Sequence, residues 1–233
     1  MRRNRRHPLT FRLLLVAAIL IAALAVRIAY IENTSYKAIN DAGTYNRLAS
    51  MIAQTGDYDT GSAPGSGAGG SRGPTAYFPP GFPYFLAAVD ILDGHQAGHK
   101  AALKGEQIGG AVVNTVAVGL IGLVALEALG AGEALAALVL AAFYPVLIEL
   151  SGTLVAENLL IALMLGAIWA ALRALRSQRP YGWIFVTGVL TGLATLTHQN
   201  AILLVLPLGF AAWAAARGRP DRGGAAGRPQ PDR

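Results

Sequence analysis

The sequence predicts an all-α, polytopic membrane protein, and three observations carry that prediction. Apolar residues make up 54% of the chain and charged residues only 14%, where a soluble domain carries about a quarter charged residues. Apolar runs of bilayer-spanning length recur along the chain. The arginines gather at the chain ends and in one loop, as expected of segments held on one side of a membrane. That distribution accounts for the net charge of +6 without a nucleic-acid partner. There is no cysteine, which excludes disulfides and thiolate metal sites.

The elements follow in order. A basic tail, Arg2-Arg3-Asn4-Arg5-Arg6, precedes an apolar stretch from Phe11 to Ile31, long enough for a first span. Ala23-Leu24-Ala25 resembles a signal-peptide cleavage site, but the apolar run continues through Val26, Ile28, Ala29 and Ile31, so an uncleaved helix is expected. Arg27 is expected near its outer end, with its head snorkelling to the interface. Residues 32–104 then form a long first extracytoplasmic loop.

Within that loop, Ser35 to Gln54 has helical spacing, with Tyr45, Leu48, Ala49 and Ile52 on one face and Asp41 one turn earlier. This describes an amphipathic helix lying on the membrane surface, ended by Gly56-Asp57-Tyr58. Thr60 to Thr75 is nearly all Gly, Ser, Ala and Pro and reads as a mobile loop. Tyr77-Phe78-Pro79-Pro80-Gly81-Phe82-Pro83-Tyr84 opens a second interfacial helix, with Phe82, Phe85, Leu86, Val89 and Leu92 sharing a face.

Further spans are expected at Gln107–Leu129, Ala134–Leu150, Asn158–Leu175, Trp183–Leu196 and Ala201–Ala216, which with the first makes about six. Residues 1–216 form the transmembrane domain, and 217–233 a disordered cytoplasmic tail. A cytoplasmic N-terminus puts Arg173, Arg176, Arg179 and the five arginines from Arg217 to Arg233 inside. Asp41, Glu157 and His198 then face outward.

Asp41 and Glu157 are the candidate catalytic residues. Two acids on one face of one membrane are the minimum set for positioning an acceptor, holding a cation or removing a proton. The bland alternatives are a helix cap for Asp41 and a helix-dipole carboxylate for Glu157. The cofactor stays open, with a divalent cation as the one candidate. His95 and His99 are spaced i, i+4 with Glu106 downstream, but Gly94 and Gly98 argue against a stable helix there and no second ligand motif follows. No metal site is expected there. His198 lies at an outward turn in Leu196-Thr197-His198-Gln199-Asn200. Outer-face cations are sparse: Lys37, Arg47, Arg72, Lys100 and Lys104. A lipid phosphate at that surface would need such partners. The glycine pairs Gly105/Gly109, Gly119/Gly122 and Gly188/Gly192 suit close helix packing rather than phosphate binding.

The order of features carries a resemblance. One span leads to Asp41-x3-Tyr45-x3-Ala49, Gly56-Asp57-Tyr58, Tyr77-Phe78-Pro79-Pro80 and Gly94. After a further span come Ala141-Ala142-Phe143-Tyr144-Pro145, Ser151-x5-Glu157 and Gly188-x3-Gly192-Leu193-Ala194-x-Leu196-Thr197. From about residue 11 to 215 this resembles the N-terminal part of the GT-C membrane glycosyltransferases, closest to glycosyltransferase family 39, with the protein O-mannosyltransferases and lipid A aminoarabinose transferases. The resemblance implies a polyprenyl-phosphate-linked sugar donor, a protein, lipid or glycan acceptor on the outer face of the cell membrane, and a catalytic Asp at the place of Asp41. Glu157 matches an acidic position of the family. Tyr45, Arg47, Pro80, Lys104 and His198 are the expected substrate contacts.

There are two departures. The family usually has an Arg where this chain has His198, and its members have more spans and often a soluble outer domain. The chain is therefore expected to be a fragment, a truncated product or a minimal relative. The competing classes are a multi-pass transporter or permease subunit, which needs midplane charges or broken helices, and an inactive truncated membrane scaffold.

Overall fold

A computed structural model describes residues 7–58, 78–94 and 100–217. His95, His99, Asp59, Arg72, Tyr77, the Thr60–Thr75 stretch and the tail beyond Arg217 lie outside the described residues, as does the Lys100 side chain.

Helices are the regular structure of the described residues: α1 (His7–Asn33), α2 (Asp41–Thr55), α3 (Gly81–Asp93), α4 (Lys100–Ala128), α5 (Ala131–Ala142), α6 (Pro145–Ser151), α7 (Glu157–Arg176), α8 (Pro180–Thr197), a 3-10 turn (Gln199–Leu204) and α9 (Val205–Arg217). Four segments are long and apolar enough to cross a membrane: Thr10–Asn33, Leu103–Ala128, Glu157–Arg176 and Gln199–Arg217. The fold class is therefore all-α and polytopic, as predicted.

The expected span Ala134–Leu150 is instead two helices, α5 and α6, bent by 54°. Pro145 is the cause. It lacks an N–H and its ring crowds the preceding turn, so α5 stops at Ala142 and Pro145 opens α6. Counted as one span, the pair makes up to five. The expected span Trp183–Leu196 lies in α8, which falls outside that set. Its threonines Thr187, Thr191, Thr195 and Thr197 dilute the apolar run, and each hydroxyl donates to a carbonyl one turn back.

Close packing follows the small residues. The buried face of α7 is Ala162, Gly166, Ala167, Ala170, Ala171 and Ala174, which lets α4, α8 and α9 approach it closely. A Cβ at Gly109 would come within 2.7 Å of Val89, and one at Gly105 within 2.5 Å of Asp93, so this pair seats α3 on α4. Gly122 packs on Leu138 in the same way, whereas a Cβ at Gly188 or Gly192 would meet nothing within 4 Å.

Two sequence expectations for the loop are corrected. The interfacial helix starts at Asp41, not Ser35. The buried face of α3 is Phe82, Pro83, Leu86, Ala87 and Asp90, while Leu92 is 88% exposed. Leu92 lies six residues beyond Leu86, and at 3.6 residues per turn that step carries it to the far side of α3.

Candidate active site

Arg27 does not snorkel. It is fully buried, and its guanidinium donates to Ala23 O (2.9 Å), Ala142 O (3.0 Å), Ala141 O (3.5 Å) and Asn114 Oδ1 (3.0 Å). The reason lies in the α5–α6 break. A broken helix leaves carbonyls without partners, and unsatisfied groups away from water are costly. Arg27 supplies the donors. Asn114 passes the chain on to Asn158 Oδ1 (3.2 Å), and Asn158 Nδ2 donates to Leu150 O (2.7 Å) and Thr153 O (3.0 Å). Gln107 donates to Gly152 O (2.5 Å), and the Leu154 N–H donates to the Tyr36 hydroxyl (3.1 Å). Apart from the bond to Ala23 O and the links through Asn114, the bonds of this set end on the turn between α6 and α7 or on the break before it. The turn opens directly into Glu157, the first residue of α7.

Asp41 occupies the equivalent place on α2. Asn40, before it, holds φ 54° and ψ −128°, the one positive φ of a non-glycine among the described residues. Such a backbone costs about 1–3 kcal/mol and persists only where its surroundings enforce it. Here Gly43 allows the close approach: a Cβ on it would lie 3.2 Å from the Ala38 carbonyl oxygen. No side chain caps α2. Asp41 is therefore exposed in the first turn, at the positive end of the helix dipole, and is not the cap residue.

The two acids adjoin Ala42 and Ala156, members of the apolar cluster against which Tyr45 packs. Its ring stands edge-on to Phe78 (5.4 Å) and Phe82 (5.1 Å), which hold it half-buried. Burial first, then the negative charges of Asp41 and Glu157, then Tyr58, push its phenol up to about 12. The hydroxyl thus stays protonated and is a hydrogen-bond donor in a field set by both carboxylates. Tyr58 encloses the same corner. It donates to Phe78 O (2.6 Å) and stacks on Tyr84 at 6.1 Å, with burial and Tyr84 raising its pKa. An apolar cluster of Ala42, Ala49, Phe82, Leu86, Leu154 and Ala156 binds α2, α3 and the α6–α7 turn into one unit beneath the acids.

The other expected contacts are distributed around this unit. Arg47 is half-buried on α2. Pro80 precedes the first residue of α3, where a Cβ on Gly81 would come within 2.7 Å of Thr197 Oγ1, so Pro80 and His198 belong to the same corner. His198 accepts from the Asn200 N–H (3.4 Å) through Nδ1 and caps the 3-10 turn. Lys104 is paired with Glu32, both side chains about half-exposed. Exposed pairs of this kind contribute about 0–1 kcal/mol, so Lys104 can exchange its partner at little cost.

The opposite end of α7 carries the arginines. Arg173 and Arg176 both donate to Glu127, at 3.0 and 3.1 Å, and Arg173 lies 5.5 Å over Trp183. Glu157 and Arg176 are the two ends of the 20-residue α7, about 30 Å apart at 1.5 Å per residue.

A membrane protein of long apolar helices, with two carboxylates and a phenol gathered at one end, is the class that these observations define. The family follows from comparison. Residues 78–220 match the family model described as dolichyl-phosphate-mannose-protein mannosyltransferase, and the chain belongs to that family of membrane glycosyltransferases. No curated protein matches the chain, and no solved structure does. The GT-C resemblance read from the ordered motifs is thereby supported from an independent direction. The matched stretch contains Pro80, Lys104, Glu157 and His198, while Asp41, Tyr45 and Arg47 precede it.

Proposed function

We propose that this chain transfers a sugar from a polyprenyl-phosphate-linked donor to a hydroxyl or amine acceptor at the outer face of the cell membrane. The observation that carries the reading is that Asp41 and Glu157 each open a helix beside the one apolar cluster that also packs Tyr45, in a chain of this family. In the reaction the acceptor oxygen or nitrogen forms a bond to the anomeric carbon as the bond from that carbon to the phosphate oxygen breaks. Asp41 takes the acceptor proton, and the electron pair leaves with the lipid phosphate. Tyr45 donates a hydrogen bond to sugar or phosphate. Glu157 orients the acceptor. Arg47, Lys104 and His198 are the groups available to the phosphate at this end.

Among the described residues no three His, Asp or Glu side chains converge. A divalent cation at this end would have Asp41 and Glu157 as its carboxylates, with substrate and water oxygens completing its shell.

The buried Arg27 and the broken α5–α6 pair are features that a transporter would also show. They favour that reading less than they first suggest. Arg27 is committed to four hydrogen bonds within the protein, which leaves no open cationic site for a passing ion. The test is sugar transfer from a polyprenyl-phosphate donor in membranes containing this chain. Substrate flux across sealed vesicles without any transfer would overturn the reading.

A further inference from the structure

The geometry points to a positioning role for Arg27, Asn114 and Asn158: together they fix the α6–α7 turn and so set where Glu157 stands relative to Asp41 and Tyr45. The inference rests on the reading of Glu157 as part of the active site.

The argument starts from the break at Pro145. The α5–α6 junction and the α6–α7 turn are two irregular stretches within 17 residues, Ala141 to Glu157. Such backbone has few ways to hold one conformation, and its carbonyls would otherwise search for partners. Here buried side chains meet them, beside local bonds from the Tyr144 N–H to Ala141 O and from the Thr153 N–H and hydroxyl to Leu150 O. Ala141 O and Ala142 O are held by Arg27 from α1. Leu150 O and Thr153 O are held by Asn158 from α7 itself. Asn114, from α4, joins the two by accepting from Arg27 and donating to Asn158. All three side chains are at most 1% exposed. The chain is directional. Arg27 donates to Asn114 and Asn114 to Asn158, so removing one leaves a neighbour with a buried unmet group, a loss felt along the network.

Arginine is the residue type that fits. A planar fork can serve two successive carbonyls and an amide oxygen at once, whereas a lysine ammonium is a compact point charge that cannot span them. A snorkelling arginine would need none of this. Gly152 tightens the same clasp, since a Cβ there would lie 2.9 Å from the Tyr30 ring.

The absence of cysteine makes a direct test available. Spin labels are placed at Ile39→Cys, before Asp41, and at Glu149→Cys, on α6; both positions are exposed and neither belongs to the catalytic set. The distance distribution is measured by pulsed electron resonance in lipid nanodiscs. A second pair, Leu175→Cys with Tyr181→Cys, reports the far end of α7. With Arg27 intact the first pair gives one narrow distribution. Arg27→Lys, Asn114→Ala and Asn158→Ala broaden or shift it and leave the far pair unchanged. In transfer assays the same variants lower kcat on the order of 10²-fold, the scale of a 1 Å misplacement, with donor KM held.

Three variants are used so that one failure to fold does not remove the test. An unchanged first distribution in folded variants overturns the inference. Broadening at both ends overturns it too, because it shows general loosening. If the parent chain transfers no sugar while only the site end broadens, the proposed function has failed and the positioning role stands.

Discussion

The Asn46 amide donates to Glu106 Oε2 at 2.6 Å, a bond from the middle of α2 to the first turns of α4. Glu106 is 1% exposed, and its other oxygen has no hydrogen-bond partner among the described residues. This bond joins the helix that begins with Asp41 to the helix that carries Gln107 and Asn114. The surface helix is therefore anchored by a polar contact as well as by its apolar face.

Asn46→Leu keeps the volume and removes the donor, leaving a buried carboxyl with nothing to bond. The expected cost is about 1–3 kcal/mol, read as a lower thermal midpoint in detergent. The same change at Asn33 is the control. Its amide bonds only the Ala29 carbonyl of its own helix, at an exposed position, and little loss is expected.

Glycine substitutions should separate packed from open positions. A Cβ at Gly81 would come within 2.9 Å of the Leu196 backbone, which cannot yield as a flexible side chain can. Gly81→Ala is expected to cost about 1–3 kcal/mol through overpacking. Gly188→Ala and Gly192→Ala meet nothing within 4 Å and should be neutral or gain about 0.5–1 kcal/mol from helix propensity. Thermal unfolding of the three variants side by side checks the order. The sequence treats Gly188 and Gly192 as one more packing pair, so this is also a test between spacing and structure.

The arginine distribution predicts an orientation. Single cysteines at Ile39 and Leu175, both exposed, should be labelled from opposite sides by an impermeant thiol reagent, Ile39 from outside the cell. Labelling of Ile39→Cys from the cytoplasmic side alone would overturn the topology, and the outer-face site with it.

Tyr45 gives a pH prediction with a definite sign. Its folded pKa of about 12 lies above the usual value of 10, so the folded state keeps the proton where the unfolded state loses it. The stability that this supplies is complete below pH 10 and is lost as pH rises from 10 to 12. Tyr45→Phe should lack this alkaline loss. It should also lower transfer by about tenfold, the worth of one hydrogen bond of ~1.4 kcal/mol, without altering the rate profile between pH 5 and 9. A change in that profile would mean that Tyr45 acts as a base.

Much of this was legible in the sequence, and the parts that were not have physical causes. Composition and apolar run length gave the fold class, because lipid imposes helices and few charges. The place of Asp41 and Glu157 at one end followed from the arginines at the other. The break at Pro145 was missed because hydropathy does not register a missing N–H. The burial of Arg27 is not legible either, because two of the three carbonyls that hold it come from residues more than a hundred positions away. Asn114 and Asn158 have no role in the sequence-based expectations, although a signal for them is present. Gln107 and Asn114 are seven residues apart, on one face of an apolar helix, where amides have no reason to be unless they satisfy backbone.

The last prediction concerns Asp41. Asp41→Asn keeps the shape of the side chain and removes its ability to take a proton. If Asp41 accepts the acceptor proton, transfer should fall about 10²–10⁴-fold. Folding cannot supply a loss of that size. Asp41 is exposed, no side chain caps α2, and its favourable interaction with the helix dipole contributes about 0.3–1 kcal/mol. Asp57 is the control, an exposed acid just past the other end of the same helix, and Asp57→Asn should keep near-full rates. Glu157→Gln should fall between the two, because an orienting group can still bond through an amide. The assay is sugar transfer from a polyprenyl-phosphate donor in membranes, at matched protein levels. Near-full transfer by Asp41→Asn at unchanged expression would return Asp41 to a helix-end carboxylate and remove the proton acceptor from the mechanism.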